Sequence, residues 1–392
     1  MDMEAKTDAG LARARLVDDG EFSDSLRRRS MLSSSAPFFS IIIPCCDVAP
    51  YVRDCLDSVL RQSFAEWECL VGVEASKDDT EAIVRGYAAK DTRIRVITGP
   101  RTGSCSASRN MGTDAARGEY VIFLDGDDTI AEGSLGRIAE RIAARPGADM
   151  YPCAIRVVED GSGREKELRD NYSDDAPAEM TGVEATLLTL RDPAHPPCPM
   201  LQMTVFRRKF LVEHGLKCIV GLRRQDSEFS PRALYFAKRV VPIHEPFYLY
   251  RIRPNAVGTS AHGQGYFHGD WATILRSLLA FHAKVSRKPG FDRRVAERWA
   301  RTWIQWIFYF WFDPDNVRNI PRSRRAETLG MLFANGFEDY RLLLANASLA
   351  RRTAGRWVEM FVQRPTLRGI AEHLFRLYFS AAKTRGKGRC DR

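Results

Sequence analysis

The stretch that most constrains the fold is an apolar run ending in carboxylates, Tyr120-Val-Ile-Phe-Leu-Asp-Gly-Asp-Asp128. Its continuous apolar character predicts a central strand that is buried on both faces. In open α/β sheets, ligands bind just beyond the carboxyl ends of such strands. Asp125 and Asp127 are two positions apart, so in an extended chain their side chains point the same way. The run therefore predicts a ligand site at these two carboxylates.

Two convergent carboxylates offer the hard oxygen ligands that Mg²⁺ or Mn²⁺ prefers, and phosphate and water usually complete the shell. The plainer alternative is a turn over Asp125–Asp128 that caps the helix after it. An EF-hand is disfavoured, because Ile130 and Gly136 stand where its loop needs Gly and Glu. The residues alone leave a cation site and a capping turn open.

Apolar runs alternate with helical periodicity from residue 38 onward. The first half predicts strands at Phe38–Ile43, Trp67–Val73, Arg93–Thr98 and Tyr120–Leu124 and helices over 51–60, 78–89, 103–115 and 133–144. Pro44 is expected to end the first strand. Further strands are predicted over 149–158, 203–206 and 240–250, with a polar excursion over 159–178. Such alternation indicates βαβ units and a largely parallel sheet.

From about residue 263 the apolar period becomes 3.6, which predicts helices to the end of the chain. Residues 262–392 carry 24 Lys and Arg against 11 Asp and Glu, and the whole chain has a net charge of +9. This asymmetry suggests an anionic partner surface, such as a membrane leaflet, nucleic acid or an acidic polymer. We therefore expect a flexible segment over 1–37, an α/β domain over 38–260 and a basic, aromatic-rich helical region over 261–392.

Several classes of protein are disfavoured. Nine cysteines with no C-x-x-C pair fit reduced cytosolic thiols better than a disulfide framework or a zinc site. The sequence shows neither a signal peptide nor an apolar run of about 20 residues, so we expect a cytoplasmic protein, with peripheral contact to the inner face of a membrane left open. The absence of G-x-G-x-x-G after the first strand and of G-x-x-x-x-G-K-[ST] disfavours dinucleotide-binding enzymes and P-loop NTPases.

Four separated blocks form one pattern over about 38–260. They are Ser40–Asp47 with Cys55–Phe64, Val71–Thr80, Ser108–Gly112 with Gly118–Asp128, and Gln225–Phe229 with Tyr248–Asn255. In this order they resemble the glycosyltransferase family 2 enzymes. The resemblance implies the α/β GT-A fold, which has a Rossmann-like, mostly parallel central sheet flanked by helices. It implies nothing about residues 262–392.

The resemblance implies inverting sugar transfer from a nucleotide sugar, with a UDP-sugar ahead of a GDP- or TDP-sugar. The acceptor would be a glycan or a lipid-linked glycan in cell-surface polysaccharide synthesis. Mn²⁺ or Mg²⁺ on Asp127, with Asp125 nearby, would neutralise the leaving diphosphate. Asp226 would take the proton of the acceptor hydroxyl, since an ionised carboxylate can do so once positioned. The alternative for Asp226 is a helix N-cap.

By the same resemblance, further residues bind the donor. The nucleotide base would lie against Pro44, Asp47, Glu74 and Arg109, with Asp125 and Gly126 beside the sugar and diphosphate. Arg251 and Arg253 would contact the diphosphate, because Arg matches phosphate oxygens bidentately. A third metal ligand stays open, with His262 as a candidate.

The sequence also departs from the family pattern. Glu74 replaces an Asp of the base-binding pair, Cys46 replaces an aromatic residue and Gln225 replaces the Glu before the expected base. These changes keep open a non-catalytic carbohydrate-binding or scaffold protein on a transferase fold. A nucleotidyltransferase shares the metal and fold logic and is a further alternative, but Pro44–Val48 stands where it would need a Gly-rich loop bearing Lys or Arg. Asp125, Asp127 and Asp226 are all present, which favours an active enzyme.

The helical region has an aromatic stripe near helical spacing. Its members are Trp299, Trp303, Trp306, Phe310 and Trp311. A basic, Trp-rich amphipathic helix can lie in a membrane interface, where each Lys or Arg near an anionic leaflet adds about 1 kcal/mol. The alternative is that the stripe packs onto the catalytic domain or onto a second subunit, so an oligomer stays open. Nucleic acid is not expected as a partner, because no known binding module is visible.

Overall fold

The structure is a computed structural model that describes residues 36–172, 175–189, 201–253, 261–312, 321–334 and 336–364, with isolated positions up to 375. Of the predicted flexible segment over 1–37, all but the last two residues lie outside the described part of the chain.

The first half of the sheet is built from parallel strands. Strands and helices alternate as β1 (Phe39–Cys45), α1 (Val52–Leu60), β2 (Trp67–Glu74), α2 (Thr80–Ala88), β3 (Ile94–Gly99), α3 (Ser106–Ala115) and β4 (Tyr120–Phe123). Ile42 of β1 pairs with Leu70 of β2 on one side and with Phe123 of β4 on the other, both in parallel. The predicted βαβ units are therefore confirmed.

Pro44 does not end the first strand as expected. β1 continues to Cys45, and Pro44 stays paired with Gly72 of β2. On the other side, the pairing with β4 stops at Ile42 and Phe123. Pro44 thus lies where one neighbouring strand has already ended, which is the kind of edge position that tolerates a missing N–H.

The second half of the fold mixes strand directions. Its elements are β5 (Thr129–Ile130), α4 (Ser134–Ala144), β6 (Met150–Glu159), β7 (Glu165–Arg169), α5 (Gly182–Thr189), a 3₁₀ turn (Leu201–Met203), β8 (Thr204–Arg207), α6 (Arg208–Glu213), α7 (Gln225–Phe236) and β9 (Ile243–Ile252). Within the described residues the strand order is β3-β2-β1-β4-β8-β6-β9-β5, and β7 pairs with β6. β8 runs antiparallel to both β4 and β6, so the sheet is parallel in its first half and mixed in its second.

The central strands are apolar at every position because both faces of the sheet are covered. Ile41 and Ile43 pack into the cluster that holds Leu56 of α1 and Ile138 of α4. The intervening Ile42 packs on the opposite face, in the cluster that includes Phe229 of α7. Alternating side chains of one strand thus fill two cores, which is what a continuous apolar run predicts.

The chain after β9 is helical, as its periodicity predicts. The helices are α8 (Ala261–Val285), α9 (Arg293–Phe312), α10 (Arg322–Leu332), α11 (Glu338–Ala345) and α12 (Leu349–Gln363). Within the described residues, no helix combines the length and the apolar character that crossing a bilayer requires.

The aromatic stripe of α9 is buried inside this helical region. Trp299 and Trp303 stack with ring centroids 5.0 Å apart, and Trp271 of α8 stacks on Phe310 at 4.1 Å. All five members of the stripe are buried. The interpretation of these rings as a membrane-facing surface is therefore wrong, because the same face is covered by protein.

The helical region also packs directly on the α/β region. Trp299 lies 6.1 Å from the ring of Tyr235 on α7, and Leu222 is part of the same apolar cluster. Ser277 of α8 donates a hydrogen bond of 2.7 Å to the buried carboxylate of Glu228 on α7. Contact is thus both apolar and polar at the helix that begins with Gln225. The division into domains at residue 260 stays a prediction.

Candidate functional site

The acidic segment is a tight turn at the carboxyl ends of β1 and β4. β4 ends at Phe123, and the backbone N–H of Asp128 donates to the carbonyl of Asp125 at 3.0 Å before β5 begins. A Cβ on Gly126 would lie 2.8 Å from Cys45 Sγ and 3.1 Å from the carbonyl oxygen of Pro44. Only glycine allows the turn to lie this close to the end of β1. The sheet edge predicted for the site is where the turn stands.

Asp128 fixes the turn to β9. The buried Asp128 carboxylate accepts a hydrogen bond from the Tyr248 hydroxyl, and its other oxygen accepts from the Arg251 backbone N–H at 2.7 Å. The same hydroxyl accepts from the Asp125 backbone N–H at 3.2 Å. Burial, followed by the charges of Asp127 and Asp125, raises the pKa of Asp128 well above its ordinary value. Both oxygens of Asp128 are thus committed to holding the turn in place.

Asp125 is bound at both of its oxygens. Arg109 of α3 donates to one oxygen, and Gln202 Nε2 donates to the other at 2.6 Å. The guanidinium of Arg109 is buried, with its side chain 1% exposed, and it contacts Asp125 and Gln225 instead of Asp47 and Glu74, its expected companions. Its place is therefore under the acidic turn.

Asp127 points to a different partner. Its Oδ2 accepts from Arg253 Nε at 2.8 Å, just beyond the end of β9. The argument that Asp125 and Asp127 point the same way in an extended chain does not apply, because the chain turns here, and the two carboxylates have different partners. The two groups still interact: burial, followed by the charge of Asp125, raises the pKa of Asp127.

The two predicted diphosphate ligands share one aromatic neighbour. The ring of Tyr51, just before α1, lies 5.1 Å from the guanidinium of Arg253 and 5.3 Å from that of Arg251. Arg251 is also paired with Asp54 at 3.0 Å and with Asp160 at 3.1 Å. Both cations therefore stand beside the acidic turn, but they are held by different carboxylates.

A divalent ion fits this site only with help from a substrate. Within the described residues there is no group of three or more His, Cys, Asp or Glu that could hold a metal. The side chain of His262 lies outside the described residues. Asp127 supplies a hard oxygen donor whose Oδ2 pairs with Arg253, whereas Asp125 is bound at both oxygens by Arg109 and Gln202. Such a sparse donor set suits Mg²⁺ or Mn²⁺ that takes its remaining ligands from phosphate and water.

Glu74 is committed to a neighbouring loop. It is 3% exposed, and its two oxygens accept from the Thr102 backbone N–H at 2.7 Å and from the Thr102 hydroxyl at 2.9 Å. Ser108 adds a longer contact of 3.4 Å. The structure thus places Glu74 behind the loop at Thr102, as a support for it.

Asp47 stands at the surface end of the predicted base pocket. It has a φ of 52°, and its carboxylate accepts from the Lys77 backbone N–H and pairs with Arg101, each at 2.7 Å. The hydrogen bond from Arg101 lowers the pKa of Asp47. Pro44 precedes it at the end of β1, where its carbonyl oxygen faces Gly126. Pro44, Asp47 and the 101–102 loop are therefore neighbours at this sheet edge.

Asp226 lies in the first turn of α7, which begins after Arg224 at a φ of 51°. Its position inside the helix excludes the alternative of an N-cap, since Arg224 holds that place. Burial raises the pKa of Asp226, while a backbone hydrogen bond from Ser227 and the charge of Arg109 act in the opposite direction. The carboxyl is half-buried, so it combines partial exposure with a raised pKa.

Arg109 connects the acidic turn to this helix. In the amide orientation that satisfies both of its ends, Gln225 accepts from Arg109 Nη1 and donates to the Leu222 carbonyl at 3.1 Å. The other end of the guanidinium binds Asp125. One buried cation thus joins Asp125 to the residue that directly precedes Asp226.

Sequence reasoning missed Gln202, Arg101 and Tyr51. Gln202 lies in a 3₁₀ turn, 77 residues from the carboxylate it binds. Arg101 and Tyr51 lie outside regular elements, next to residues that were predicted. Gln202 and Arg101 belong to no periodic pattern, and Tyr51 was predicted only as the first residue of a helix; spatial proximity to Asp47 and to Arg253 is what marks Arg101 and Tyr51.

Comparison with known proteins gives consistent results. Residues 40–215 match the profile of a family described as glycosyl transferase family 2. The uncharacterized glycosyltransferase EpsJ of Bacillus subtilis is 30% identical over 222 residues, which are 56% of this chain and 63% of EpsJ. The putative teichuronic acid biosynthesis glycosyltransferase TuaG of the same organism is 31% identical over 130 residues, 33% of this chain and 52% of TuaG. The chain thus matches less than two thirds of the length of each.

A solved structure resembles most of the chain. S. aureus TarS 1–349, in complex with UDP-GlcNAc, superimposes with a TM-score of 0.66 at 17% identity, over 88% of this chain and 92% of that 1–349 fragment. At this identity the likeness concerns the fold, and it confirms the GT-A fold with its added C-terminal helices. The coverage shows that the likeness extends beyond residues 40–215.

Proposed function

Because this chain belongs to glycosyl transferase family 2 through its residues 40–215, we propose that it transfers a sugar from a nucleotide sugar to a glycan or lipid-linked acceptor, with inversion at the anomeric carbon. The observation that carries the proposal is the link through Arg109, which joins Asp125 of the acidic turn to the residue before Asp226. The link supports the proposal because it connects the turn that would bind the donor to the start of the helix that carries the candidate base.

The relatives support the choice of donor and acceptor. TarS was solved with UDP-GlcNAc, which makes a UDP-sugar the first donor to test. TuaG is assigned to teichuronic acid biosynthesis, and RfbC of Myxococcus xanthus, 36% identical over 115 residues, is described as an O-antigen biosynthesis protein. These names favour a surface polysaccharide as the product to which this chain contributes.

Asp226 acts as the base in this proposal. The acceptor oxygen attacks the anomeric carbon, its proton passes to Asp226, and the nucleoside diphosphate leaves with the electron pair of the broken bond. The raised pKa of Asp226 favours proton uptake, because a base works best when its pKa lies near the working pH. The transition state carries oxocarbenium character, as in glycoside hydrolysis.

The leaving diphosphate needs positive charge. A divalent ion bound by Asp127 would act there as a Lewis acid and a template. Arg253 and Arg251 stand at the same edge, and their guanidinium groups can each make paired hydrogen bonds to phosphate oxygens. Arg251 would serve from a fixed position, because Asp54 and Asp160 already hold it.

The remaining predicted residues shape the donor pocket in different ways. Asp47 and Pro44 would contact the nucleotide directly, together with Arg101. Glu74 would act through Thr102, whose N–H and hydroxyl it binds. Gly126 would contribute by keeping the turn free of a side chain.

The proposed location is the cytoplasm, at the inner face of a membrane when the acceptor is lipid-linked. The aromatic stripe is buried, so contact with an anionic leaflet would use exposed basic residues of the C-terminal helices. Examples are Arg293, Arg294, Arg352 and Arg356. Each would add about 1 kcal/mol of attraction near the surface.

Donor hydrolysis and donor binding together test the function. We expect a UDP-sugar with Mn²⁺ to raise the melting temperature of the wild-type protein and to be hydrolysed slowly without acceptor. Asp226→Asn should abolish turnover and keep nucleotide binding, while Glu140→Gln, on the exposed face of α4, should change neither. Wild-type turnover in Asp226→Asn would refute the role of the base. Binding without hydrolysis in the wild type would favour a non-catalytic scaffold.

A further inference from the structure

We propose that Arg253 occupies Asp127 until the donor binds and then moves to the diphosphate, so that one arginine couples cation binding to nucleotide binding. The inference rests on the proposed function and concerns the same site. It assigns to Arg253 a positioning role that Arg251, two residues earlier near the end of β9, does not share.

The first observation is the difference between the two carboxylates of the turn. Asp125 is held from both sides, by the buried Arg109 and by Gln202. Within the part of the chain that the structure describes, the side chain that binds Asp127 is Arg253, at 2.8 Å, and the two side chains are 24% and 22% exposed. Asp127 is therefore the carboxylate whose partner solvent and substrate can reach.

The second observation is how the two arginines are held. Both guanidinium groups lie over Tyr51, at 5.3 Å for Arg251 and 5.1 Å for Arg253. Arg251 has two carboxylates of its own, Asp54 and Asp160, and does not pair with Asp127. Arg253 depends on Asp127 and the ring, so it can change its anionic partner without leaving a second carboxylate unpaired.

The charges require such an exchange. A guanidinium and a divalent cation repel each other, so a cation that binds Asp127 disfavours Arg253 at the same carboxylate. Arginine pairs well with phosphate oxygens, and the diphosphate thus offers Arg253 a replacement for Asp127. The described residues hold no group of three ligands for a metal, so phosphate oxygens would strengthen cation binding. Cation and diphosphate should therefore bind with positive coupling.

Direct contact between the cation and the diphosphate would produce coupling in any such site. The contribution of Arg253 is isolated by measuring cation affinity in the absence of nucleotide. When Arg253 is removed, Asp127 is already free, and the cation no longer has to displace a competitor. Coupling free energies between sites typically correspond to factors of about 5 to 150, so a several-fold effect is measurable.

The experiment is titration of Mn²⁺ followed by the electron paramagnetic resonance of the free ion, without nucleotide. Arg253→Ala should bind Mn²⁺ roughly 5-fold or more tightly than the wild type, at the low end of such couplings. Arg253→Lys should retain most of the competition. Arg251→Ala is the matched control, because it removes the same charge from the same ring, and it should shift affinity less than Arg253→Ala. Equal affinities in the two alanine variants would overturn the proposal.

Calorimetry with UDP separates this failure from failure of the proposed function. If the wild type binds neither UDP nor UDP with Mn²⁺, the donor site itself is refuted. If it binds both, and Arg253→Ala leaves Mn²⁺ affinity unchanged, only the exchange is refuted. Asp127→Asn provides an independent check in case Arg253→Ala does not fold. It releases Arg253 and should strengthen UDP binding without metal several-fold, and unchanged binding would count against the exchange.

Discussion

Arg109 and Asp125 form an ion pair in which the cation is buried and the carboxylate is partly exposed. Burial opposes the charge on Arg109, but Asp125 together with Cys105, Cys218 and Tyr248 outweighs it, so the pKa of Arg109 lies above its ordinary value. The other end of the guanidinium faces Gln225. The pair thus fixes the separation between the acidic turn and α7, and chemistry at the turn depends on a residue that a substrate does not reach.

Removing this cation should destabilise the fold. We expect Arg109→Ala to lower the free energy of unfolding by about 3 kcal/mol or more, because breaking a buried pair leaves the partner charge uncompensated. Urea denaturation measures the change. Arg85→Ala, which breaks the exposed pair with Glu81, should cost less than about 1 kcal/mol. Similar losses in the two variants would contradict the structural importance of the buried pair.

Tyr248 should matter through its hydroxyl. Tyr248→Phe keeps the ring but removes the bridge between Asp128 and the Asp125 backbone N–H. The buried Asp128 then loses one of its two donors, which should cost about 1–3 kcal/mol. Donor affinity should fall as the turn loosens. Denaturation and nucleotide titration measure the two effects, and a fully stable Tyr248→Phe protein would show that the bridge is not needed.

The pH profile of kcat/KM should show an acid limb at a pH above about 3.9, the ordinary pKa of an aspartate. Burial raises the pKa of Asp226, and a base works only when ionised, so kcat/KM should fall as the pH drops through this raised pKa. Gln225→Glu should move the limb to higher pH, because a second carboxylate disfavours ionisation of Asp226 and competes for Arg109. The pH profiles of wild type and variant, with Glu140→Gln as control, measure the shift. A shift to lower pH would contradict this arrangement.

Selectivity for the nucleotide base should depend on Asp47 and Arg101 more than on Glu74. Thr102→Val removes one of the two hydrogen bonds that Glu74 accepts from Thr102, which should cost about 1 kcal/mol of stability and leave the ratio of UDP to GDP affinity unchanged. Arg101→Ala, which frees Asp47, should change that ratio. Titrations with UDP and with GDP distinguish an effect of Asp47 and Arg101 on the nucleotide base from an effect of Glu74. A ratio of UDP to GDP affinity that changes in Thr102→Val but not in Arg101→Ala would indicate that Glu74, and not Asp47, sets the choice of nucleotide base.

The aromatic stripe should contribute to stability. Trp303→Ala should lower the free energy of unfolding by about 3–5 kcal/mol, because it removes a fully buried ring and leaves a cavity. Tyr309→Ala on the same helix, where the ring is 46% exposed, should cost much less. Binding of Tyr309→Ala to anionic vesicles should equal that of the wild type if basic residues carry the contact. A Trp303→Ala protein as stable as the wild type would contradict the buried packing.

The fold was largely predictable because its signals are local. The helices after residue 263 were predicted from their apolar period, and α9, Arg293–Phe312, follows that long amphipathic pattern. β7 was missed because all of its residues, Glu165–Arg169, are exposed and carry no apolar alternation. β5 has only two residues, Thr129–Ile130, which is too short for any period to show.

The site was predictable in its residues and less so in their partners. Asp125, Asp127 and Asp226 were identified from short blocks, but what each contacts depends on distant parts of the chain. Gln202 is 77 residues from Asp125, and Arg253 is 126 residues from Asp127. Pairing across such separations is set by the order of strands in the sheet, which local pattern does not encode.

The hydrogen bond from Ser277 to Glu228 ties the tail of the molecule to the helix that bears the proposed base. A protein truncated at the end of β9 would lose that bond and expose Tyr235 and Leu222. An apolar side of α7 that is covered in the full chain would then be solvated. We therefore expect a protein truncated after β9 to aggregate and to be poorly ordered around the proposed base. Substitutions in the C-terminal helices that pack on α7 should therefore alter the environment of Asp226.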